Sequence, residues 1–205
     1  MDKPGRHLVN PFLFKHRDGQ TPIPPDYFRS LIPKSIQNFQ ELDEQEEQNI
    51  ALGISWLEKQ KGDPFDHLFW RNLHRELFYK VWTWAGKTRR TELQNEEFFK
   101  VFRIEDELKK LQGDAKFWFD ETEMSTGEGL ARFHERMLTI HPFPNGNGRF
   151  TRVLSSHICS RYNLPIPTWG QQYVDQNSRR DTYINAVKTA RANHSFAPLI
   201  AFIYG

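Results

Sequence analysis

Cysteine is nearly missing from this chain: Cys159 stands alone among 205 residues, so no internal disulfide can form. That excludes a disulfide-stapled scaffold and leads us to expect a reducing, cytoplasmic location. Long apolar runs are missing too. Nothing approaches the roughly 20 residues a membrane helix needs, so no membrane partner is expected. The first residues, MDKPGRHLVNPF, lack the apolar centre and small-residue cleavage site of a secretory signal. Charge of one sign is also scarce. With 28 Lys and Arg against 26 Asp and Glu, the net charge is +2, which gives no electrostatic case for direct nucleic-acid binding. What the chain does hold is aromatic mass. Seventeen Phe and six Trp give a single domain of this length large groups to bury.

Residues 1–40 are dotted with prolines (Pro4, Pro11, Pro22, Pro24, Pro25, Pro33), which deny them a long helix. They read as an extended arm held through Phe12, Phe14, Phe28 and Ile32, followed by one domain over 41–205. Leu42, Ile50, Ile54 and Leu57 predict a helix through about Lys59. Gly62-Asp63-Pro64 reads as a break, an N-cap and a first-turn proline, ahead of a helix facing inward with Phe65, Leu68, Phe69, Leu73, Leu77 and Val81. Residues 84–101 lose the helical period and read as a solvated hairpin or loop. Ile104, Leu108 and Leu111 restore it. Ser125 with Glu128 suggests a capping box for a helix burying Leu130, Phe133, Met137 and Leu138. Phe150, Val153, Leu154 and Ile158 predict the next helix, and two more fit 179–192 and 196–204. The sum is a mainly α fold with one irregular or hairpin segment.

Chemistry concentrates at His141-Pro142-Phe143-Pro144-Asn145-Gly146-Asn147-Gly148-Arg149, between two helices. Gly146 and Gly148 allow backbone conformations that aim successive N–H groups at one point. They stand at the start of a helix, where unpaired N–H groups and the dipole favour an anion. Arg149 adds a planar cationic fork suited to phosphate. A largely neutral imidazole at His141 beside such a cradle could take the proton of a hydroxyl nucleophile. Asn145 could offer an oxygen to the Mg²⁺ that phosphoryl chemistry usually uses. A tight interhelical turn would also use Gly, Pro and Asn, but it does not account for His, Phe, Asn and Arg at these spacings.

The segment resembles the Fic signature, His-Pro-Phe-x-(Asp/Glu)-Gly-Asn-(Gly/Lys)-Arg, at every position but one. Phe133-His134, Trp84-Ala85-Gly86-Lys87 and Pro198-Leu199-Ile200 are also Fic-like, so the resemblance spans about 42–205. Thr21-Pro22-Ile23-Pro24, Glu41-Leu42-Asp43-Glu44 and Gln48-Asn49-Ile50 resemble the branch called mobile mystery protein B.

The resemblance implies a Fic-type helical bundle with a β-hairpin flap. The implied activity is protein adenylyl transfer: AMP moved from ATP to a Ser, Thr or Tyr hydroxyl of a target protein. It makes His141 the general base and Phe143 the anchor of the loop. Gly146, Asn147 and Gly148 become the anion hole for the α- and β-phosphates, with Arg149 pairing with phosphate. Arg152 matches a second arginine that binds the γ-phosphate or an inhibitory glutamate. Lys87, Thr88, Arg89, Arg90 and Thr91 fall in the flap, which would pin a target segment by strand addition.

Asn145 is the departure: a neutral amide oxygen stands where the family has an acidic Mg²⁺ ligand. A catalytically weak Fic fold that binds nucleotide or protein is therefore an alternative. Doc-type kinases carry Lys at the position of Gly148, so the glycine favours AMP transfer over a Doc-like kinase. Tyr183 is a candidate for contacting adenine. His134 reads as a buried, hydrogen-bonded structural histidine, since Leu138 breaks a zinc-protease HExxH. Val81 likewise breaks a P-loop ending at Gly86-Lys87-Thr88. The acidic run 43–47 reads as a solvated helix face, with an inhibitory glutamate as the other option. No segment fits the inhibitory pattern (Ser/Thr)-x-x-x-Glu-(Gly/Asn), so a toxin-like activity restrained by a separate antitoxin is expected.

Overall fold

Apolar side chains recurring every three or four residues fold this chain into helices, and the computed structural model describes seven of them. The described residues are 25–93, 97–121 and 124–205. The helices are α1 (Phe39–Leu57), α2 (His67–Phe78), α3 (Ile104–Lys116), α4 (Thr126–Ile140), α5 (Asn147–Arg161), α6 (Gln176–Asn193) and α7 (Ala197–Tyr204). None among the described residues is long and apolar enough to cross a membrane. One aromatic-rich core joins them, with Phe65, Trp70, Phe78, Phe133, Phe143 and Phe150 fully buried.

The expected arm lies largely outside the described residues, Phe12 and Phe14 included. In its described part Phe28, Leu31 and Ile36 are buried, whereas Ile32 is 44% exposed. Leu31 forms an isolated antiparallel bridge with Trp82, through Ile32 N–H to Val81 O at 2.8 Å and Thr83 N–H to Ser30 O at 3.0 Å.

Two local expectations shift. Asp66, not Asp63, caps α2 by accepting from Leu68 N–H at 2.9 Å, while Asp63 closes a turn by accepting from Phe65 N–H at 2.8 Å. Pro64 thus belongs to the turn, and its carbonyl accepts from the buried Trp70 indole at 2.7 Å. Ser125 does cap α4, accepting from Glu128 N–H at 3.2 Å, but Glu128 turns outward to Arg132 at 2.7 Å, so only half of the capping box forms.

The larger correction is the face that α1 buries. Ile54 is 39% exposed, and the buried stripe is Leu42, Glu46, Asn49, Gly53 and Leu57. Gly53 is there because α2 crosses so closely that a Cβ would lie 2.7 Å from a Leu77 methyl and 2.9 Å from Glu76 O. Asn49 caps the end of α2, donating to Glu76 O at 2.9 Å and accepting from Lys80 N–H at 2.8 Å. A polar stripe can be buried because each member has a partner.

His74, on α2, is fully buried and stacks on Phe143 with ring centroids 3.7 Å apart. The Gly86 N–H donates to its Nδ1 at 3.0 Å, so the ring proton sits on Nε2 and points to Asn145 O, also 3.0 Å away. Gly86 takes φ of 76°, and a Cβ there would lie 2.8 Å from Arg71 O. The single cysteine is inert: Cys159 is buried, and burial pushes its thiol up to about 11.

His74 and His134 are both fully buried, and burial holds each imidazole neutral, with its pKa lowered to about 3. The unfolded chain binds protons at these rings below about pH 6.5, whereas the folded one does not. Stability present above that pH should therefore fall as pH drops from 6.5 toward 4, by about 1.4 kcal/mol per pH unit for each histidine. Urea unfolding at pH 7, 6, 5 and 4 measures the slope, and His74→Phe should flatten it. Equal stability at pH 7 and 5 would contradict the buried neutral histidines.

Candidate active site

The loop from α4 to α5 is shaped by residues that leave it little freedom. His141 ends α4 in the left-handed region, with φ of 48° and ψ of 59°, and its N–H still donates to Met137 O at 3.1 Å. Phe143 drops into the core between His74 and Phe150. Gly146 has φ of 77°, and a Cβ there would sit 2.6 Å from the Phe78 ring, so glycine is required on both counts. The buried Asn147 side chain clasps the loop: it accepts from Phe143 N–H at 2.9 Å and donates to Phe143 O at 2.8 Å. α5 starts three residues earlier than the apolar spacing suggested. Asn147, Gly148 and Arg149 form its first turn, whose N–H groups have no partner inside the helix.

His141 is 6% exposed. Its Nδ1 lies 3.3 Å from Leu138 O, which places the proton on Nδ1 and the lone pair on Nε2. Burial lowers its pKa to about 3. The cover is Phe98, stacked on the imidazole at 4.1 Å with planes 27° apart. Arg191 holds this cover from α6: it pairs with the adjacent Glu97 at 2.6 Å, and with Thr139 and Glu135 of α4 at 2.8 and 3.1 Å.

The β-hairpin expected over 84–101 is not seen. Its described residues form no strand, and 94–96 lie outside them. Two of the segment's backbone donors go to the motif and to the end of α4 instead: Arg89 N–H to Pro142 O at 2.8 Å and Phe99 N–H to Thr139 O at 3.2 Å. Arg89, expected on the flap surface, is 1% exposed. Its guanidinium donates to His141 O at 2.8 Å, to Thr91 O at 3.2 Å and to Phe99 O, so one side chain ties the segment to the motif. Lys87, Arg90 and Thr91 are exposed and Thr88 half-buried. Thr88 donates to Glu105 at 3.4 Å.

The two arginines have different surroundings. Arg149 pairs with Glu46 of α1 at 2.6 Å, donates to Asn145 Oδ1 at 3.3 Å and lies over the Phe78 ring. Glu46 also accepts from the Trp82 indole at 2.7 Å, so the acidic run is not a wholly solvated face. Arg152, half-buried, lies over the Tyr183 ring at 5.6 Å, and its Nη1 would be 3.8 Å from a Cβ at Gly148. Tyr183 bonds His134 at 2.8 Å, which engages its hydroxyl within the protein.

The candidate anion cradle is therefore the first turn of α5 with Arg152 beside it. The Asn147 side chain and the Arg149 charge already have partners. For Mg²⁺, the loop offers one neutral oxygen, Asn145 Oδ1, which already accepts from Arg149. Among the described residues no group of three His, Cys, Asp or Glu could hold a metal. That donor set does not fit a resident metal, since hard cations are usually held by carboxylates and phosphates.

Sequence reasoning missed His74, Glu46, Phe98 and Arg191. Signals existed for two of them. His74 continues the stripe Trp70, His74, Phe78 on α2. Glu46 continues Leu42, Glu46, Asn49, Gly53 on α1. Nothing local marks Phe98 or Arg191.

The Fic/DOC family pattern matches residues 64–159. A curated relative, "Probable protein adenylyltransferase y4lH" of Sinorhizobium fredii, is 31% identical over 134 residues, covering 62% of this chain and 68% of that protein. The solved structure of BepC, a VirB-translocated effector of Bartonella tribocorum with bound AMPPNP, covers 95% of each chain with a TM-score of 0.66 at 18% identity. The N-terminal Fic domain of a VirB-translocated effector from Bartonella quintana matches with a TM-score of 0.66 at 20% identity, over 83% of this chain and 84% of that one. A Fic domain containing signaling protein from Bacteroides thetaiotaomicron has a TM-score of 0.62 at 20% identity, over 78% and 66%. The solved structures share the fold, the curated relative shares sequence across most of its length, and the chain belongs to the Fic/DOC family.

Proposed function

We propose that this chain is a protein adenylyltransferase that moves AMP from ATP to a hydroxyl side chain of a target protein. The observation that carries the reading is one juxtaposition. A neutral imidazole, with its lone pair on Nε2, closes α4 six residues before the first of the N–H groups that open α5. The printed name of the 31% identical relative points the same way.

In this reading the α-phosphate rests at the first turn of α5. The target oxygen attacks the α-phosphorus while His141 Nε2 takes the hydroxyl proton. The bond from the α-phosphorus to the bridging oxygen breaks, and pyrophosphate leaves beside Arg152. Asn145 would be the loop residue that offers an oxygen to Mg²⁺ brought in with ATP, an ion that would neutralise phosphate charge. Phe98 must move off His141 before the hydroxyl arrives. Uncovering the ring brings its pKa back toward its ordinary value, where a base works best at neutral pH. A target segment that displaces residues 97–101 serves this purpose, with exposed Lys87, Arg90 and Thr91 as its outer contacts. Gly148 favours AMP transfer over the Doc-like kinase reaction, since the Doc-type kinases this chain resembles carry lysine at that position. A toxin-like role restrained by a separate antitoxin in the cytoplasm, and membership of the mobile mystery protein B branch, remain part of this proposal.

Arg149 favours a second reading. Its charge already faces Glu46 and Asn145, an arrangement that a catalytically weak nucleotide-binding module would also have.

Incubation with ATP labelled at the α- or the γ-phosphate, in a lysate, separates these readings. Adenylyl transfer puts only the α-label on protein, and His141→Ala should cut it by about 10²–10⁴-fold while ATP still binds. Label from the γ-position would mean a kinase, and no label with intact ATP binding would mean a binding module.

The amide at 145 sets the metal dependence. Asn145→Asp should lower the Mg²⁺ concentration for half-maximal labelling, because a charged oxygen holds the ion better. A metal titration of both proteins that gives superposable curves would show that residue 145 does not contact the ion.

A further inference from the structure

Arg191 divides its guanidinium between two elements. Its Nε donates to α4, to Thr139 Oγ1 at 2.8 Å and to Glu135 Oε1 at 3.1 Å. Its Nη1 donates instead to Glu97 Oε2, at 2.6 Å. The α4 contacts hold the guanidinium in place whether or not Glu97 is there. Thr139 O–H donates in turn to Glu135, and the guanidinium still takes Glu97 as a second acidic partner. The Arg191 side chain is 19% exposed and that of Glu97 45%, so the cation is mostly buried while the acid reaches solvent.

Glu97 is joined in sequence to the cover of the base. Phe98, the next residue, stacks on His141 at 4.1 Å, and the Arg191 guanidinium lies 6.0 Å from the centre of the Phe98 ring. Moving Phe98 off His141 therefore withdraws the neighbouring carboxylate from Arg191. The guanidinium is then left facing the place where a target enters, mostly buried and with one acidic partner fewer. A cation removed from water is held best by a carboxylate that accepts from it directly. The hollow outside the cover has the same sign. It measures about 280 Å³, and Lys100 and Arg103 line it together with Glu97, Phe98 and Phe99.

We propose that Arg191 is a specificity-determining residue that receives an Asp or Glu side chain of the target, close in sequence to the modified hydroxyl. Glu97 holds that place in the resting chain. This rests on the adenylyltransferase reading, in which the target displaces residues 97–101 and comes to His141. The incoming carboxylate replaces that of Glu97 on Nη1, so one ion pair is exchanged for another as the cover leaves. A target without an acid there would open the cover at the expense of the Glu97 pair.

Two end-capped hexapeptides, Ala-Ala-Glu-Ser-Ala-Ala and its Gln counterpart, test this by NMR titration of the whole protein. Wild-type protein should bind the Glu peptide about 5- to 10-fold more tightly, the difference between a charge-assisted and a neutral hydrogen bond. Glu97→Gln removes the resident acid and should tighten the Glu peptide alone by about 2- to 5-fold, the worth of a partly exposed ion pair. Arg191→Gln should bring the two peptides to the same affinity. Equal affinities for wild-type protein, or no binding of either peptide, overturn the proposal. A Glu preference that survives Arg191→Gln overturns it as well, since the carboxylate then sits elsewhere. If Arg191→Gln folds poorly, Glu97→Gln decides: unchanged binding of the Glu peptide there rules out the exchange. Failure of the underlying reading looks different. A Glu preference lost in Arg191→Gln, with no α-label passing from ATP to peptide or lysate protein, supports the carboxylate site and overturns adenylyl transfer instead.

Discussion

The neutral imidazole of His74 is the contact on which the candidate site depends. It lies flat on Phe143, accepts from the Gly86 N–H and donates to the Asn145 carbonyl. A ring can do both only when it carries one proton, and full burial keeps it that way. Through these three contacts α2 fixes the turn at Gly86 and the middle of the 141–149 loop together. The rest of the loop follows. With Phe143 seated, Asn147 can close its clasp on the Phe143 backbone, and Gly146 can sit against Phe78. α5 then begins where its first N–H groups lie beside the end of α4, close to His141.

Buried charge is used here to hold backbone and side chains in place rather than to add stability. Arg89 places its guanidinium on three carbonyls, one of them that of His141. Glu46 ties α1 to Arg149 and Trp82. Removing such charges from water is costly, and replacing a buried pair by apolar groups is often neutral or stabilising. Their benefit is geometric. Arg89 can link the 84–101 segment to the motif without a strand ladder, which is why a segment read as a hairpin forms none in its described residues. The same segment sets Phe98 on His141, so the imidazole and its cover are fixed by a common element.

The helices were legible in the sequence because periodicity reports burial directly, and the motif was legible because Gly, Pro and Asn restrict the backbone at fixed positions. Phe143 as an anchor is what the Fic resemblance implies, and His134 reads as a buried, bonded histidine, as it is. The face of α1 could not be read that way. Apolar Ile50 and Ile54 suggested one stripe, while the real one carries Glu46 and Asn49, whose partners lie 103 and 27 residues away in sequence. Roles that depend on such partners have no local signature. Arg149, read as a phosphate ligand, also pairs with Glu46, and Tyr183, a candidate for contacting adenine, also bonds His134. Arg89 looked solvated because charge usually is, and only tertiary acceptors make its burial possible.

A loop clasped this firmly should receive a nucleotide without refolding. The most direct test is a crystal structure with a non-hydrolysable ATP analogue and Mg²⁺. The account predicts phosphates against the N–H groups of Asn147, Gly148 and Arg149, with the His74 contacts and the loop backbone unmoved. Nucleotide bound elsewhere, or a loop that rearranges to admit it, would contradict the account.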